Sequence, residues 1–206
     1  MIRRPPRSTP SNSSAASDVY KRQEMVRAIL DGRKWQTRRP IKPQPVGNFI
    51  YFSSVNPAYA CFEQSPSVRC PFGQVGDRLW VKETFRLFNA WEECCCYDMC
   101  QCARNNGKPV YYADTPDDEY KWKPSIHMPR WASRITLEIT DIRVERVRDI
   151  SATEAANEGV SSNNIGEYTC YIDTFRTLWD SIYAKHGLGW DDNPQVWVIE
   201  FRRIEG

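Results

Sequence analysis

The chain has 206 residues, of which 41% are hydrophobic and 26% are charged, a composition typical of a soluble globular domain. It contains no run of the roughly 20 apolar residues that a membrane-spanning helix needs, which argues against an integral membrane protein. The N-terminus lacks the apolar segment of a secretory signal, so we expect a cytoplasmic protein with no membrane partner.

The net charge of +2 conceals an uneven distribution. Residues 1–45 carry eleven Lys/Arg and three Asp/Glu, whereas residues 46–206 carry seventeen and twenty-three. The first 23 residues are rich in Ser, Pro and Arg, and they resemble translated sequencing-adapter DNA. We therefore expect residues 1–23 to be a disordered or non-native tail, followed by one folded domain over residues 24–206. Residues 24–45 keep six basic and two acidic residues, which favours a polyanionic partner.

Apolar residues at helical spacing predict a first helix over residues 24–30, with Gly32 at the kind of position that commonly ends a helix. A basic loop punctuated by prolines follows. Residues 46–130 show little periodicity beyond two strand candidates, at 79–85 and 110–113. We therefore expect a loop-rich insertion over this stretch.

The remainder of the domain has a more regular pattern. Residues 134–140 and 142–147 predict two strands because apolar residues alternate there. The Ser151-Ala-Thr-Glu154 pattern predicts a capping box, which opens a helix that ends near Gly159. A longer amphipathic helix and a terminal strand complete the chain. Many short strands with two or three flanking helices indicate an α+β fold built as a small mixed β-barrel.

Functional groups are densest in the loop with the sequence GRKWQTRR. Neighbouring cations and burial both lower the pKa of a lysine, so Lys34 is a candidate base or nucleophile. The arginines beside it are candidate phosphate ligands. A loop that binds nucleic acid without catalysis, or that is simply solvated, has the same composition. The loop alone therefore leaves catalysis and binding open.

Glu158 is a second candidate for chemistry. It follows Glu154 by four residues and therefore shares its helix face. Glu154 is engaged in the capping box, whereas Glu158 has no obvious structural partner in the sequence. The C-terminal end of a helix disfavours negative charge, which favours the protonated form that a general acid needs. A solvated carboxylate is the alternative interpretation.

Four separated motifs resemble those of the ASCH domain, a member of the PUA-like superfamily of small β-barrels. They are GRKWQTRR, GDRLWVKETF, ISATEAANEGV and the closing VWVIEFRRIE, in the expected order along residues 24–206. The family signature, roughly Gly-x-Lys-x-x-[Glu/Thr]-x-Arg, matches Gly32, Lys34, Thr37 and Arg39. The segment WKPSIHMPRWASRITLEITDIRVERVRDIS is similar to versions encoded by phages and prophages, which implies the cytoplasm of a bacterial host.

This resemblance implies a protein that acts on RNA or on modified nucleosides. One branch of the family hydrolyses N4-acetylcytidine to cytidine and acetate, with residues that correspond to Lys34, Thr37 and Glu158. By that resemblance, Lys34 is the base that activates Thr37 or a water, and Glu158 protonates the departing amine. Arg39 would fix the substrate or stabilise developing negative charge. No cofactor is implied.

The other residues of the signature loop are assigned to binding of substrate or nucleic acid: Gly32, Arg33, Trp35, Arg38 and Arg39. Trp35 is our first choice for stacking on a base, because it lies among cations. Trp122, Trp131 and Trp190 also fall in predicted loops where a base could stack. Three alternatives to the amidohydrolase remain, namely a binding module without catalysis, a ribonuclease and a structural accessory protein of a phage.

Five of the eight cysteines lie within residues 94–102. Because no export signal is present, we expect reduced thiols in place of disulfides. Cys94, Cys96, Cys100 and Cys102 are weak candidates for a zinc site, since the paired Cys-x-x-Cys signature of structural zinc is absent. We therefore expect neither a metal nor a cofactor.

Overall fold

The computed structural model describes residues 23–54, 58–90, 102–117, 119–161, 164–165, 168–169 and 171–204. The helices are α1 (residues 23–30), α2 (Cys102–Asn105), α3 (Ala152–Asn157) and α4 (Tyr171–Tyr183). The strands are β1 (Gln36–Pro40), β2 (Phe49–Phe52), β3 (Tyr59–Phe62), β4 (Val68–Arg69), β5 (Arg78–Trp80), β6 (Phe85–Leu87), β7 (Pro109–Tyr111), β8 (Thr136–Arg146), β9 (Asn164–Ile165), β10 (Tyr168–Thr169) and β11 (Gln195–Ile204). The tail expected over residues 1–23 lies outside the described residues, except for Gln23, which begins α1.

The centre of the fold is a curled antiparallel sheet with the strand order β1-β11-β8-β5, which forms half of a barrel. The two long strands, β8 and β11, pair along nearly their whole length. Strand β1 pairs with the other edge of β11, from Gln36 opposite Glu200 to Pro40 opposite Val196. This arrangement, with few helices, confirms the predicted α+β class.

Both faces of the central sheet are covered. Val196 and Val198 of β11 pack on one face, in a core that includes Trp179 of α4. Trp197 and Ile199 pack on the opposite face, in the core formed with β2 and β3. Because successive side chains point to opposite faces, the first half of β11 is buried throughout. The sheet thus separates a helical side from a strand-covered side.

The two strands predicted over residues 134–140 and 142–147 are in fact one strand, β8. Its register with β11 shifts by one residue at Thr140. Asp141 pairs with Glu200 and Ile139 pairs with Phe201, so Thr140 is left out of the pairing. A β-bulge of this kind moves the side chains that follow it to the other face. Ile139 and Ile142 therefore share one face of the sheet although they are three positions apart. The interrupted alternation made one bulged strand look like two.

The predicted capping box at the start of α3 is confirmed. The Ser151 hydroxyl accepts a hydrogen bond from the Glu154 N–H (3.2 Å), and the Glu154 carboxylate accepts one from the Ser151 N–H (2.9 Å). The capping box sets where α3 begins, and the helix ends at Asn157, just before Glu158 and the left-handed Gly159 (φ 81°). Within the described ranges, no helix is long and apolar enough to cross a membrane.

The stretch 46–130 contains short strands between its loops. Strands β2, β3 and β4 form a separate three-stranded sheet, and β6 pairs with β7. The strand predicted over residues 79–85 divides into β5 and β6. The strand predicted over residues 110–113 is β7, shifted toward the N-terminus. This stretch covers one face of the central sheet and extends beyond its β5 edge.

Candidate functional site

The signature loop joins α1 to β1 and is fixed at both ends by backbone hydrogen bonds. Gly32 turns the chain in the left-handed region, at φ 72°. The Lys34 N–H donates to the carbonyl of Ala28 in α1 (2.9 Å). The Trp35 N–H donates to the carbonyl of Asn157 at the end of α3 (3.2 Å). These bonds place the Lys34 side chain beside the C-terminal end of α3.

The Lys34 ammonium group meets Glu158 there. Its Nζ donates to the backbone carbonyls of Glu158 (2.6 Å) and Gln36 (2.9 Å), and it lies 3.1 Å from Glu158 Oε2. The two side chains are 10% and 5% exposed. Three acceptors match the three N–H donors of a charged lysine. The sequence predicted no structural partner for Glu158, and this prediction is wrong because Lys34 and the adjacent Arg38 both contact it.

The electrostatic surroundings of Lys34 lower its pKa on balance. Burial lowers the pKa of Lys34, because an ammonium ion loses its hydration inside the protein. The carboxylate of Glu158 opposes this effect, and the charges of Arg39 and Arg38 reinforce it. The net pKa lies below that of an ordinary lysine. The sequence-based expectation for Lys34 therefore agrees with the structure in direction.

Gly159 allows the loop to approach α3 closely. It has a φ of 81°, and a Cβ added there would lie 2.8 Å from the Cβ of Lys34 and 2.9 Å from the Cβ of Ala28. No side chain fits such distances without displacing the loop. The sequence indicated Gly159 only as a helix end, so its packing role was missed. Nothing local in the sequence signals an approach by residues more than 120 positions away.

Arg38 connects the Lys34–Glu158 pair to a larger group, which we call the buried charge cluster after the buried side chains at its centre. Its central members are Lys34, Arg38 and Glu158, and its outer members, which are 22–29% exposed, are Arg143, Glu145, Glu154 and Glu200. The Arg38 guanidinium is completely buried and lies 2.8 Å from Glu145, 3.1 Å from Glu154 and 3.4 Å from Glu158. Because Arg38 is buried among three carboxylates, it balances their negative charge and does not contact nucleic acid directly.

Arg143 completes the buried charge cluster from the neighbouring strand β8. Its guanidinium contacts Glu145 (2.5 Å), Glu154 (2.7 Å) and Glu200. The sequence analysis missed Arg143, Glu145 and Glu200. The sequence contains a signal for them, namely charged residues at alternate positions within long apolar strands. When both faces of a sheet are covered, such charges require ion-pair or hydrogen-bond partners.

Thr37 lies on the opposite face of the sheet from the buried charge cluster. In the β1–β11 register, Arg38 is opposite Val198, whereas Thr37 is opposite Ile199. Directly opposed residues project to the same face, so Thr37 shares the strand-covered side with Ile199. Among the described contacts, neither Lys34 nor Glu158 reaches the Thr37 hydroxyl. Of the predicted catalytic residues, the structure brings Lys34 and Glu158 together but not Thr37.

The side chain of Gln36 is buried without a partner. It is 0% exposed, and among the described residues neither its amide nitrogen nor its amide oxygen has a hydrogen-bond partner. Its position in β1 directs it to the same face of the sheet as Arg38. The backbone carbonyl of Gln36 itself accepts the hydrogen bond from Lys34 Nζ. Buried polar groups without partners are uncommon, so Gln36 marks this place as a candidate contact for a ligand.

A cavity of about 330 Å³ opens beside the signature loop, and we call it the Trp35 cavity. Its lining consists of Ile29, Gly32, Lys34, Trp35, Leu137, Phe201, Arg202 and Arg203. Ile29, Leu137 and Phe201 are buried and form an apolar floor, while Trp35 is 39% exposed. The exposed side chains of Arg202 and Arg203 add positive charge at its edge. The sequence analysis did not single out these two arginines, although they follow directly on the terminal strand's apolar run.

The remaining arginines of the signature loop lie at the surface. Arg33 is half exposed and lies 3.0 Å from Asp31. Arg39 is exposed and donates a hydrogen bond to the Tyr183 hydroxyl of α4 (3.1 Å). Both guanidinium groups are therefore accessible to an anionic ligand.

The candidate zinc ligands Cys94, Cys96 and Cys100 lie outside the described residues. Cys102 begins α2, but its side chain is outside the description as well. In the part of the chain that the structure describes, no group of three or more His, Cys, Asp or Glu side chains is placed to hold a metal ion.

Comparison of the chain with protein-family models, with curated proteins and with solved structures finds no match. The motifs of the sequence and the geometry of the site therefore carry the functional proposal.

Proposed function

We propose that this chain is an ASCH-type domain of the PUA-like superfamily that binds RNA or a modified nucleoside in the Trp35 cavity. Two kinds of observation support the family assignment: the order of the four sequence motifs and the curled antiparallel sheet with few helices. The observation that carries the binding function is the cavity itself, where a half-exposed indole stands over an apolar floor beside two exposed arginines.

The lining of the Trp35 cavity suits a nucleobase attached to a phosphate. Nucleobases in single strands commonly stack on aromatic side chains, and Trp35 presents such a ring. A volume of about 330 Å³ lies in the range of small-ligand pockets. Arg202 pairs with Glu138 at the surface (3.0 Å), a kind of ion pair that contributes little stability and that a phosphate can replace.

The test of this proposal is the binding of a fluorescently labelled single-stranded RNA, followed by anisotropy, to the wild type and to Trp35→Ala. We expect Trp35→Ala to weaken binding by roughly fivefold or more, because stacking of one base is lost. Trp35→Phe should retain most of the affinity. Tyr51→Ala is the matched control, since Tyr51 is an exposed aromatic residue of β2 outside the cavity. Equal affinity for Trp35→Ala and the wild type would overturn the proposal.

Hydrolysis of N4-acetylcytidine is a second candidate function, favoured by the Lys34–Glu158 contact of 3.1 Å and by the lowered pKa of Lys34. In this reaction neutral Lys34 takes a proton from water, and the resulting hydroxide attacks the acetyl carbonyl. The proton taken up by Lys34 passes through its contact with Glu158 to the departing cytosine amine, so that cytidine and acetate form. The unpartnered amide of Gln36 is a candidate hydrogen-bond partner for the base.

The position of Thr37 determines which nucleophile this second candidate uses. Because Thr37 lies on the opposite sheet face from Glu158, water and not the Thr37 hydroxyl attacks the carbonyl. Release of cytidine from N4-acetylcytidine should therefore persist in Thr37→Val and disappear in Lys34→Ala. Equal product from Lys34→Ala and the wild type would remove the catalytic role of Lys34. Loss of activity in Thr37→Val to the level of Lys34→Ala would restore the threonine nucleophile.

A further inference from the structure

A second concave surface lies far along the chain from the signature loop. It is a groove of about 490 Å³, which we call the Trp131 groove, lined by Phe85, Leu87, Lys123, His127, Pro129 and Trp131. Phe85 is buried and forms its floor. Trp131 is 65% exposed, and the neighbouring Ile126 is 69% exposed. The groove therefore presents large apolar side chains to solvent at one place.

The walls of the Trp131 groove are held in place by the fold. Phe85 and Lys123 exchange backbone hydrogen bonds in both directions, at 3.2 and 2.8 Å. Met128 is 2% exposed and packs with Phe85 in a small separate core. Arg134, which follows the groove residues in the chain, donates two hydrogen bonds to the buried carboxylate of Glu83, at 3.1 and 2.9 Å. The exposed rings are thus presented by a preformed surface.

The charge around the groove is positive. Residues 120–134 contain four Lys/Arg and no Asp/Glu. Of these, Arg134 is neutralised by Glu83 and by Asp114. Lys121, Lys123 and Arg130 are exposed, and of these Lys123 lines the groove, while Arg130 lies between its lining residues Pro129 and Trp131. An apolar groove with an excess of cations fits a ligand that is flat and hydrophobic in one part and anionic in another.

Two cations and an aromatic ring also meet beside the groove, at Trp80, which does not itself line it. The Lys82 ammonium lies 5.0 Å from the centre of the Trp80 ring, and the Arg130 guanidinium lies 5.8 Å from the same ring. Lys82 also donates to the carbonyl of Ile126 at the rim of the groove (3.3 Å). Interleaved rings and cations are the pattern by which proteins hold single-stranded nucleic acids, because bases stack on the rings while phosphates meet the cations.

We propose that the Trp131 groove is a second binding site for single-stranded nucleic acid, with Trp131 stacking on a base and Lys123 and Arg130 facing the phosphates. The inference extends the proposed function, in that it takes nucleic acid as the ligand, but it concerns a different surface. Strand β8 connects the two sites, since Leu137 lines the Trp35 cavity and the adjacent Thr136 accepts a hydrogen bond from Arg130 (3.4 Å).

The test uses the full chain and a fluorescein-labelled oligouridine of 12 nucleotides, with affinities measured by anisotropy. Trp131→Ala is expected to weaken binding by about tenfold, the effect of losing one stacked base. Trp131→Phe should stay within about twofold of the wild type, because a ring remains. Tyr51→Ala, an exposed aromatic elsewhere, should bind as the wild type does. Unchanged urea midpoints would show that the variants fold normally.

A charge variant and a second oligonucleotide examine the phosphate contacts. Lys123→Ala should reduce the slope of log affinity against log salt by about 0.7, the contribution of one phosphate contact to a single strand. An oligodeoxyuridine of the same length should show the same dependence on Trp131, since stacking and phosphates are common to RNA and DNA. A dependence on Trp131 that is confined to RNA would still support the groove and would add a 2′-hydroxyl contact.

The outcomes separate this inference from the proposed function. Weaker binding by Trp35→Ala together with normal binding by Trp131→Ala overturns the groove and leaves the proposed function in place. The reverse pattern supports the groove and overturns binding in the Trp35 cavity. A wild type that binds neither oligonucleotide overturns the groove and removes RNA, but not a modified nucleoside, as the ligand of the Trp35 cavity. Displacement of the RNA by an oligoglutamate peptide of equal length, with the same dependence on Trp131, assigns the groove to acidic peptides and overturns the inference.

Discussion

Lys34 and Glu158 lie 124 positions apart in the chain, yet their side chains meet at 3.1 Å in a region almost closed to solvent. Breaking a buried ion pair from one side leaves a charge without compensation, which costs about 3–5 kcal/mol. The contact therefore has consequences for stability that can be measured whether or not the chain is an enzyme.

Replacement of Glu158 by Gln should destabilise the fold strongly. The variant leaves Lys34 and Arg38 without one of their carboxylate partners, and we expect a loss of about 3 kcal/mol in the free energy of unfolding. Urea denaturation at neutral pH measures this loss. Glu138→Gln is the control, because Glu138 forms a surface pair with Arg202 and should cost less than about 1 kcal/mol. Similar losses for both variants would contradict the importance of the buried pair.

Replacement of Gly159 by Ala should displace the signature loop. The added Cβ would lie 2.8 Å from the Lys34 Cβ, and the residue would also be held at a φ of 81°. Gly187→Ala is a matched control, since Gly187 has a φ of 66° but open space around its Cβ position. Left-handed strain alone costs roughly 1 kcal/mol, so Gly159→Ala should lose clearly more stability than Gly187→Ala in thermal unfolding. Equal losses would mean that the close approach to Lys34 is easily relieved.

Stability should also depend on pH through Glu154. Burial by itself raises the pKa of Glu154, but hydrogen bonds from Ser151 and the charges of Arg38 and Arg143 hold it at about 2. A carboxyl whose pKa is lower in the folded state stabilises the fold above its ordinary value of 4.5, and this stabilisation is lost as the pH falls through about 2.

The Glu154→Gln variant tests this dependence. At pH 7 it should be less stable than the wild type by about 1 kcal/mol or more, because the neutral amide keeps the capping geometry but loses the charged contacts with Arg38 and Arg143. The difference should shrink below pH 4.5 and nearly vanish near pH 2, as followed by urea unfolding at several pH values. Glu119→Gln, at an exposed position, should show no such trend. A difference that stays constant with pH would argue against the low pKa of Glu154.

Arg202 and Arg203 at the edge of the Trp35 cavity should contribute to the salt dependence of RNA binding. Arg203→Ala should lower the slope of log affinity against log salt by about 0.7, because one phosphate contact to a single strand is lost. Arg176→Ala, on α4 outside the cavity, should leave the slope unchanged. Anisotropy titrations between 50 and 200 mM salt, about the range over which such slopes are clear, provide the comparison. An unchanged slope for Arg203→Ala would place the phosphates elsewhere.

The fold was predictable wherever its signal is local. The capping box at Ser151 and the strands β8 and β11 follow from patterns that a few neighbouring residues contain. The division of β8 into two predicted strands was wrong because the bulge at Thr140 depends on the pairing with β11. Strands β2, β3 and β4 were not predicted, because strands of two to four residues leave only a weak periodicity.

The sequence by itself determined which chemical groups this protein carries and where most of its longer helices and strands lie. Those properties depend on residues a few positions apart, so composition, alternation and turn chemistry reveal them. Only the tertiary structure decided which groups meet: Glu158 turned out to face Lys34, Arg38 to be buried, and Thr37 to lie on the other side of the sheet. The register of β1 on β11 and the end of α3 fix these distances, and both arise from packing between segments more than a hundred residues apart.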